Sequence, residues 1–439
     1  MRLLIKGATI IDETGAEARR NILVQDGKVK AITDHDLDAN DDERVIDAQG
    51  ALLMPGLIDV HVHFREPGFE DKETIATGSR AAARGGFTTV LAMPNLNPVP
   101  VTATLLRQQL RRNEESGLIH VKQYGAISAN LTDETVSPIK ELAAAGAIGF
   151  TNDGKGVQSA ATMLAAMKAA KAVNRSLVAH LEDQSLMNGG VMNKGERADQ
   201  LGLPGADPLA ETSQLARDLV LAQATGVRYH VAHLSTKVGV ELVRVAKAMG
   251  VHVTAEVSPH HLLLDDTDIQ SATQTNLKMN PPLRTPADRE AVIAGLLDGT
   301  IDMVATDHAP HSVADKRGDF RTAAFGITGL ETCFPLLYTH FVESGLATLG
   351  QLQQWLVKAP ASAFDLDAPT VLKVGMKADL AMFDISHRHT INANEFASKA
   401  VNSPFVGQTV TGMTLITMVD GEIVYDATTD NTGGHDDNE

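Results

Sequence analysis

His61 and His63 stand two residues apart in the run Asp59-Val60-His61-Val62-His63-Phe64-Arg65, within a stretch of strand character. In an extended chain positions i and i+2 face the same way, so both imidazoles can be offered to one ion while Val62 packs behind them. Alone, a His-x-His pair is as readily a polar strand face or two satisfied core histidines. The reading sharpens because Asp153, His180, His233 and Asp307 each end an apolar, strand-like run elsewhere in the chain. Four neutral imidazoles and two carboxylates suit two borderline divalent ions such as Zn²⁺, two per chain, with one carboxylate shared. Two such ions about 3.5–4 Å apart would polarise a carbonyl and supply hydroxide at neutral pH, the equipment of metal-assisted hydrolysis.

Bringing six side chains together from distant segments requires a scaffold that gathers strand ends. Strand-like runs fall at residues 57–64, 87–93, 121–127, 147–152, 177–181, 229–234, 251–257 and 303–306. Ala/Leu-rich helical stretches separate them, notably at 74–84, 102–116, 160–173, 208–225, 236–249 and 285–297. Eight such units predict an α/β fold, a (β/α)8 TIM-type barrel, whose catalytic groups collect at the C-terminal ends of the strands. No internal repeat accompanies them, which disfavours a solenoid or propeller. Residues 2–54 read instead as short alternating segments with an Asp26-Gly27 turn, and the texture returns at 378–383 and 415–424 with Asp420-Gly421. Two terminal β pieces of this kind are expected to pair into one small β-sandwich. The expected division is 1–54 for the first part of the sandwich, 55–365 for the barrel, 366–427 for its second part and 428–439 for a flexible acidic tail.

Several motifs in order now resemble one family. Asp59-Val60-His61-Val62-His63-Phe64-Arg65-Glu66-Pro67-Gly68, Met93-Pro94-Asn95, Ser258-Pro259-His260-His261, Lys278-Met279-Asn280-Pro281-Pro282-Leu283-Arg284 and Ala305-Thr306-Asp307-His308-Ala309-Pro310-His311 are similar to the class I dihydroorotases of the amidohydrolase superfamily. The resemblance runs over almost the whole chain. It implies reversible hydrolysis of the cyclic amide of (S)-dihydroorotate to N-carbamoyl-L-aspartate, the third step of pyrimidine (UMP) synthesis. It also implies that His61 and His63 bind one zinc, that His180 and His233 bind the other, that Asp153 bridges them and that Asp307 completes the first. In much of the wider superfamily a carboxylated lysine bridges the metals at the fourth strand. Here that strand reads Gly149-Phe150-Thr151-Asn152-Asp153, so Asp153 takes the role, with Lys155 as the alternative carbamate bridge.

Arg65 follows the metal motif, and a guanidinium can grip a carboxylate bidentately, a group that dihydroorotate carries and neutral cyclic ureides lack. Asn95 and His311 are implied as co-ligands, with Asn280, Phe325 and Gly326 facing the ring, the last two through backbone groups. Asp307 is the expected proton carrier, and residues 312–324, charged and Gly-containing, suit a lid or an ordinary solvated loop. The enzymatic rivals are a hydantoinase, a dihydropyrimidinase or an allantoinase; the non-enzymatic rival is an inactive scaffold for aspartate transcarbamoylase. A homodimer and that transcarbamoylase are the candidate protein partners.

Composition sets the outer limits. The 439 residues carry 38 Lys+Arg against 55 Asp+Glu, a formal net charge of −17 that repels phosphodiester backbones and anionic lipid surfaces. Nucleic acid and membranes are therefore not expected partners, and an anionic substrate needs a local Arg or metal cluster. The single cysteine, Cys333, excludes internal disulfides and fits a reducing cytoplasm. His260 and His261 exceed the ligands required and are expected to support neighbours by hydrogen bonding. His387 and His389, the acidic run 34–43 with His35, and Gly85-Gly86 receive ordinary structural readings: a polar β region, a solvated loop and a helix stop.

Overall fold

Runs such as LIDVHV and FTTVLA are buried along their whole length, as parallel strands covered on both faces must be. In the computed structural model, which describes residues 2–12, 14–37 and 44–428, they form the first two staves of a parallel barrel. Its strands are Leu57–Val62, Phe87–Ala92, His120–Gln123 continued by Gly125–Ala126, Gly149–Thr151, Ser176–Ala179, Tyr229–Val231, Val253–Val257 and Met303–Val304. The third strand passes from one sheet to the other, and the ring closes where Val62 pairs with His308 and the His63 N–H donates to the His308 carbonyl at 2.9 Å. The predicted (β/α)8 barrel is thus the observed fold, with all eight strands in the expected order.

The helices that cover it start where capping chemistry starts them. Thr74, Thr102, Ser159, Thr236 and Thr285 each accept an N-terminal backbone N–H, opening Ile75–Arg84, Ala103–Ser116, Ala160–Ala172, Lys237–Ala248 and Pro286–Leu297. Leu209–Thr225 begins instead after Pro208 and ends on Gly226 in the left-handed region.

Strands from both chain ends share one further sheet, in which Leu52–Pro55 pairs antiparallel with Leu380–Thr390 and Thr409–Val419 lies beyond it. Its buried face, with Leu3, Ile5, Ile22, Leu53, Leu380 and Met418, forms a core separate from the barrel's. Residues 34–36 of the acidic run are exposed; 38–43 and the expected tail from 429 onward lie outside the described residues. No helix among the described residues is long and apolar enough to cross a membrane.

Two details depart from the expected pattern. The strands are shorter than expected: the first ends at Val62, one residue past His61, and the eighth at Val304, three residues before Asp307. Between the fifth and sixth strands, moreover, Met192–Asn193 and Gly205–Ala206 form a small parallel pair around the helix Glu196–Leu201. That insertion packs with Leu277, Leu283 and Phe320 into a satellite core, which a segment without hydrophobic periodicity did not announce.

Candidate active site

Three strand-end residues, Arg65 (φ 62°), His233 (φ 31°) and Asp307 (φ 47°), occupy the left-handed region that a side chain ordinarily avoids. Such strain persists only where the surroundings impose it, and here it aims side chains at the barrel axis. The first strand also slips register between Asp59 and Val62 against the second, a bulge of the kind that re-aims side chains beside active sites. His61 and His63 then lie with ring centroids 5.4 Å apart, His61 and His233 5.1 Å, and His180 and His233 4.7 Å.

Asp153 sits among all four imidazoles. Its carboxylate oxygens lie 3.2 Å from His61 Nε2, 3.4 Å from His63 Nε2, 3.6 Å from His180 Nδ1 and 3.8 Å from His233 Nε2. Lys155 is exposed, two residues on. Asp307 Oδ1 approaches His63 Nε2 at 3.0 Å and His61 Nε2 at 3.4 Å. His61, His63 and Asp307 form one group able to hold an ion and His61, Asp153 and His233 form another, so His61 stands between the two.

Burial opposes charge on His61, yet Asp307, Asp153 and Glu256 overcome it and hold its imidazole well above the ordinary range. Burial likewise opposes ionisation of Asp153 and Asp307, and the facing imidazoles hold both carboxyls well below theirs. The pocket thus favours positive charge at its centre. His61 Nε2 and Asp153 Oδ1 are moreover buried without a hydrogen-bond partner, a cost that a bound cation removes. Donor types, spacing, charge and orphaned atoms all fit divalent metal.

A cavity of about 400 Å³ opens over this cluster. Every residue expected as ligand or substrate contact lines it except His61, which lies beneath the floor and is fully buried. Arg65 donates from Nε to the Pro310 carbonyl at 3.3 Å and brings Nη2 to 3.4 Å from His311 Nε2. Burial lowers Arg65 to about 10, still protonated at neutral pH. Burial, with Arg65, Lys72 and Lys316 nearby, pushes His311 down to about 3, so it is neutral there. Asn95 does double duty: its Oδ1 accepts from His63 Nδ1 at 3.0 Å, leaving the amide nitrogen for the cavity. Asn280 similarly donates to Glu182 at 2.6 Å and lies 3.3 Å from His180 Nε2.

Gly326 contributes shape. Its N–H donates to the Lys278 carbonyl at 3.0 Å, and its carbonyl accepts from Lys316 Nζ and Asn402 Nδ2, each at 3.0 Å. With φ at +151°, and with Ala309 O only 2.5 Å from where a Cβ would sit, no side chain fits. Gly326 thereby lets the backbone run close along the cavity wall. Within the segment 312–324, Lys316 and Phe320 are buried, so the stretch is anchored through its middle. His261 bonds Ser258 Oγ at 2.6 Å and the Pro281 carbonyl at 2.9 Å, the supporting role expected of it.

The sequence reading missed Glu182 and Glu256, buried against His180 and His61 of the cluster. A signal existed for Glu256: it is a lone acid inside the otherwise uncharged strand VTAEV.

Known proteins resemble this chain in sequence and in shape. A family model described as dihydro-orotase-like matches residues 50–239. A dihydroorotase of Ligilactobacillus salivarius is 53% identical, covering 97% of this chain and 99% of the relative, and one of Enterococcus faecalis is 53% identical with the same coverage. Among solved structures, the L-hydantoinase (dihydropyrimidinase) of Arthrobacter aurescens superposes with a TM-score of 0.85 at 28% identity, covering 97% of this chain and 96% of that one.

Proposed function

Since the chain belongs to the dihydroorotase family, we propose that the cavity hydrolyses and re-forms the cyclic amide of dihydroorotate with a pair of zinc ions in place, in the class I manner. Dihydroorotase activity follows from identities of 50–53% over 97% of the chain. The observation that carries the assignment to this cavity is Asp153 in the midst of four imidazoles, with Arg65 and His311 on the same wall. His61, His63 and Asp307 would hold one ion and His180 and His233 the other, with Asp153 between. Bound there, the pair supplies Lewis-acid polarisation of the amide carbonyl and acidification of water.

The chain's own residues do the rest. Arg65, rigid in its fork geometry and tied to Pro310, grips the substrate carboxylate, with the free amide of Asn95 and neutral His311 beside it. This fixes the ring amide over the floor of the cavity. Asp307, ionised at neutral pH, takes a proton from the attacking water as its oxygen bonds to the carbonyl carbon. The carbon–nitrogen bond then breaks, and Asp307 delivers that proton to the departing ring nitrogen. In reverse, Asp307 accepts the ureido proton as nitrogen closes on the carboxyl carbon and returns it to the departing hydroxyl, which leaves as water. Asn280 and the wall from Phe325 to Gly326 bound the ring.

This reading assigns the chain to pyrimidine synthesis and separates it from the hydantoinases that share its shape. The test is turnover of dihydroorotate, hydantoin and allantoin by the same preparation, with metal measured per chain. Preference for dihydroorotate and about two zinc per chain are expected; equal or better turnover of the neutral ureides would reject the Arg65 assignment.

A further inference from the structure

Beneath the cavity floor lies a chain of polar side chains that the reaction does not touch. Glu256, on the seventh strand, is 1% exposed, and His230, on the sixth, is likewise 1% exposed. Glu256 Oε1 lies 2.6 Å from His61 Nδ1 and also accepts the backbone N–H of His233 at 3.2 Å. Its other oxygen, Oε2, lies 2.9 Å from His230 Nε2, and His230 Nδ1 lies 2.8 Å from Thr254 Oγ1. One carboxylate therefore touches two residues of the metal cluster, the side chain of one and the main chain of the other.

The consequence follows from donor and acceptor bookkeeping. A carboxylate accepts, so each imidazole nitrogen facing Glu256 carries its proton. With a cation bound, His61 is then the Nδ1–H tautomer and its Nε2 lone pair faces the cluster, where Asp153 and Asp307 lie at 3.2 and 3.4 Å; without one, those carboxylates favour a second proton on Nε2. His230 is fixed as well: it donates from Nε2 to Glu256 and accepts at Nδ1 from the Thr254 hydroxyl. That leaves both Glu256 oxygens satisfied in a site without water access, and the carboxylate cannot swing away from His61 without stranding His230. The bond to the His233 N–H acts on the strained φ of 31° that aims the His233 ring.

We propose that Glu256, buttressed by His230, is a positioning residue that presents His61 and His233 to the metal pair. The proposal rests on reading the cluster as a metal centre. Outer hydrogen bonds of this kind typically tune metal affinity by roughly 10–100-fold.

The test titrates the metal-stripped full-length chain with Zn²⁺ against a competing chelator, for wild type and for Glu256→Leu, Glu256→Gln and His230→Leu. Steady-state KM for dihydroorotate and the imidazole nitrogen shifts of histidine-labelled protein accompany it. Glu256→Leu is expected to weaken zinc binding by about 100-fold and Glu256→Gln, which keeps an acceptor oxygen for His61, by about 10-fold. His230→Leu should fall between wild type and Glu256→Leu, with KM for dihydroorotate unchanged in all variants because the Arg65 wall is untouched. Zinc-loaded wild type should show His61 protonated on Nδ1 alone. Zinc affinity equal to wild type in Glu256→Leu would overturn the proposal while leaving the metal centre standing. Should that variant not fold, unchanged affinity in Glu256→Gln together with His230→Leu would do the same. A wild-type chain that binds no zinc would instead remove the metal centre itself, and the proposal with it.

Discussion

Asp307 is asked to bind metal and to carry a proton, and a single atom exchange separates the two. Asp307→Asn keeps the shape and one oxygen ligand but cannot accept a proton, so metal content should largely survive. Turnover in both directions should fall on the order of 10²–10⁴-fold, the usual weight of general acid–base catalysis. Zinc per chain measured beside kcat decides it, since near-normal kcat at full occupancy would leave Asp307 as a ligand only. Arg65 acts differently, through a planar fork that a point charge cannot replace. Arg65→Lys should raise KM for dihydroorotate roughly 10–100-fold, the worth of one or two charge-assisted bonds. The sharpest contrast is between two residues of one turn. Asp153→Ala removes the oxygens that face four imidazoles and should lose metal, whereas Lys155→Ala, at an exposed position, should keep both ions and most activity. Equal metal loss in the two variants would return the bridge to Lys155.

The segment 312–326 shows how an element can be held by one buried lysine. Lys316 Nζ donates to the carbonyls of Ala324 at 2.9 Å, Gly326 at 3.0 Å and Lys278 at 3.3 Å, all neutral acceptors. Burial and the nearby cation of Lys278, against the weaker pull of Asp315, bring Lys316 down to about 7. The unfolded chain keeps this amine protonated up to its ordinary value, so between about pH 7 and pH 10.5 the unfolded state binds the extra proton. Stability from this group should therefore rise with pH across that window, by up to about 1.4 kcal/mol per pH unit, and be lost as pH falls through it. Denaturant midpoints across the window for wild type and Lys316→Met measure the effect as a difference in slope. Parallel curves would show that the ammonium is not destabilised where it sits.

Across the whole molecule, the chain ends depend on each other. Leu52–Pro55 leads directly into the first barrel strand and pairs with Leu380–Phe383, and the core beneath is built from both ends. A chain ending at residue 365 would leave that strand as an exposed apolar edge, a template for aggregation. Such a truncation is expected to be largely insoluble or aggregated by gel filtration, where the full chain is not. A soluble, zinc-binding fragment would show instead that the barrel stands alone.

The eight strands, their order and the six side chains that gather at the barrel's cluster were legible in the sequence because they depend on local rules. Apolar runs read as buried strands, Thr and Ser caps mark helix starts, and polar residues closing apolar runs mark the chemical end of a barrel. His-x-His is legible for the same reason, since a two-residue period is a property of the strand itself. What sequence could not decide is everything that arises between strands. That His61 stands between both groups able to hold an ion, that Asn95 spends its oxygen on His63 and that the Gly326 carbonyl takes Lys316 and Asn402 are all consequences of which atoms meet across the barrel. Glu256 and His230 belong to the same class: 26 residues apart in sequence, they become partners only because their strands are neighbours in the ring. Local patterning fixed which residues turn inward, and the closing of the barrel decided which of them share a proton or face a common ion.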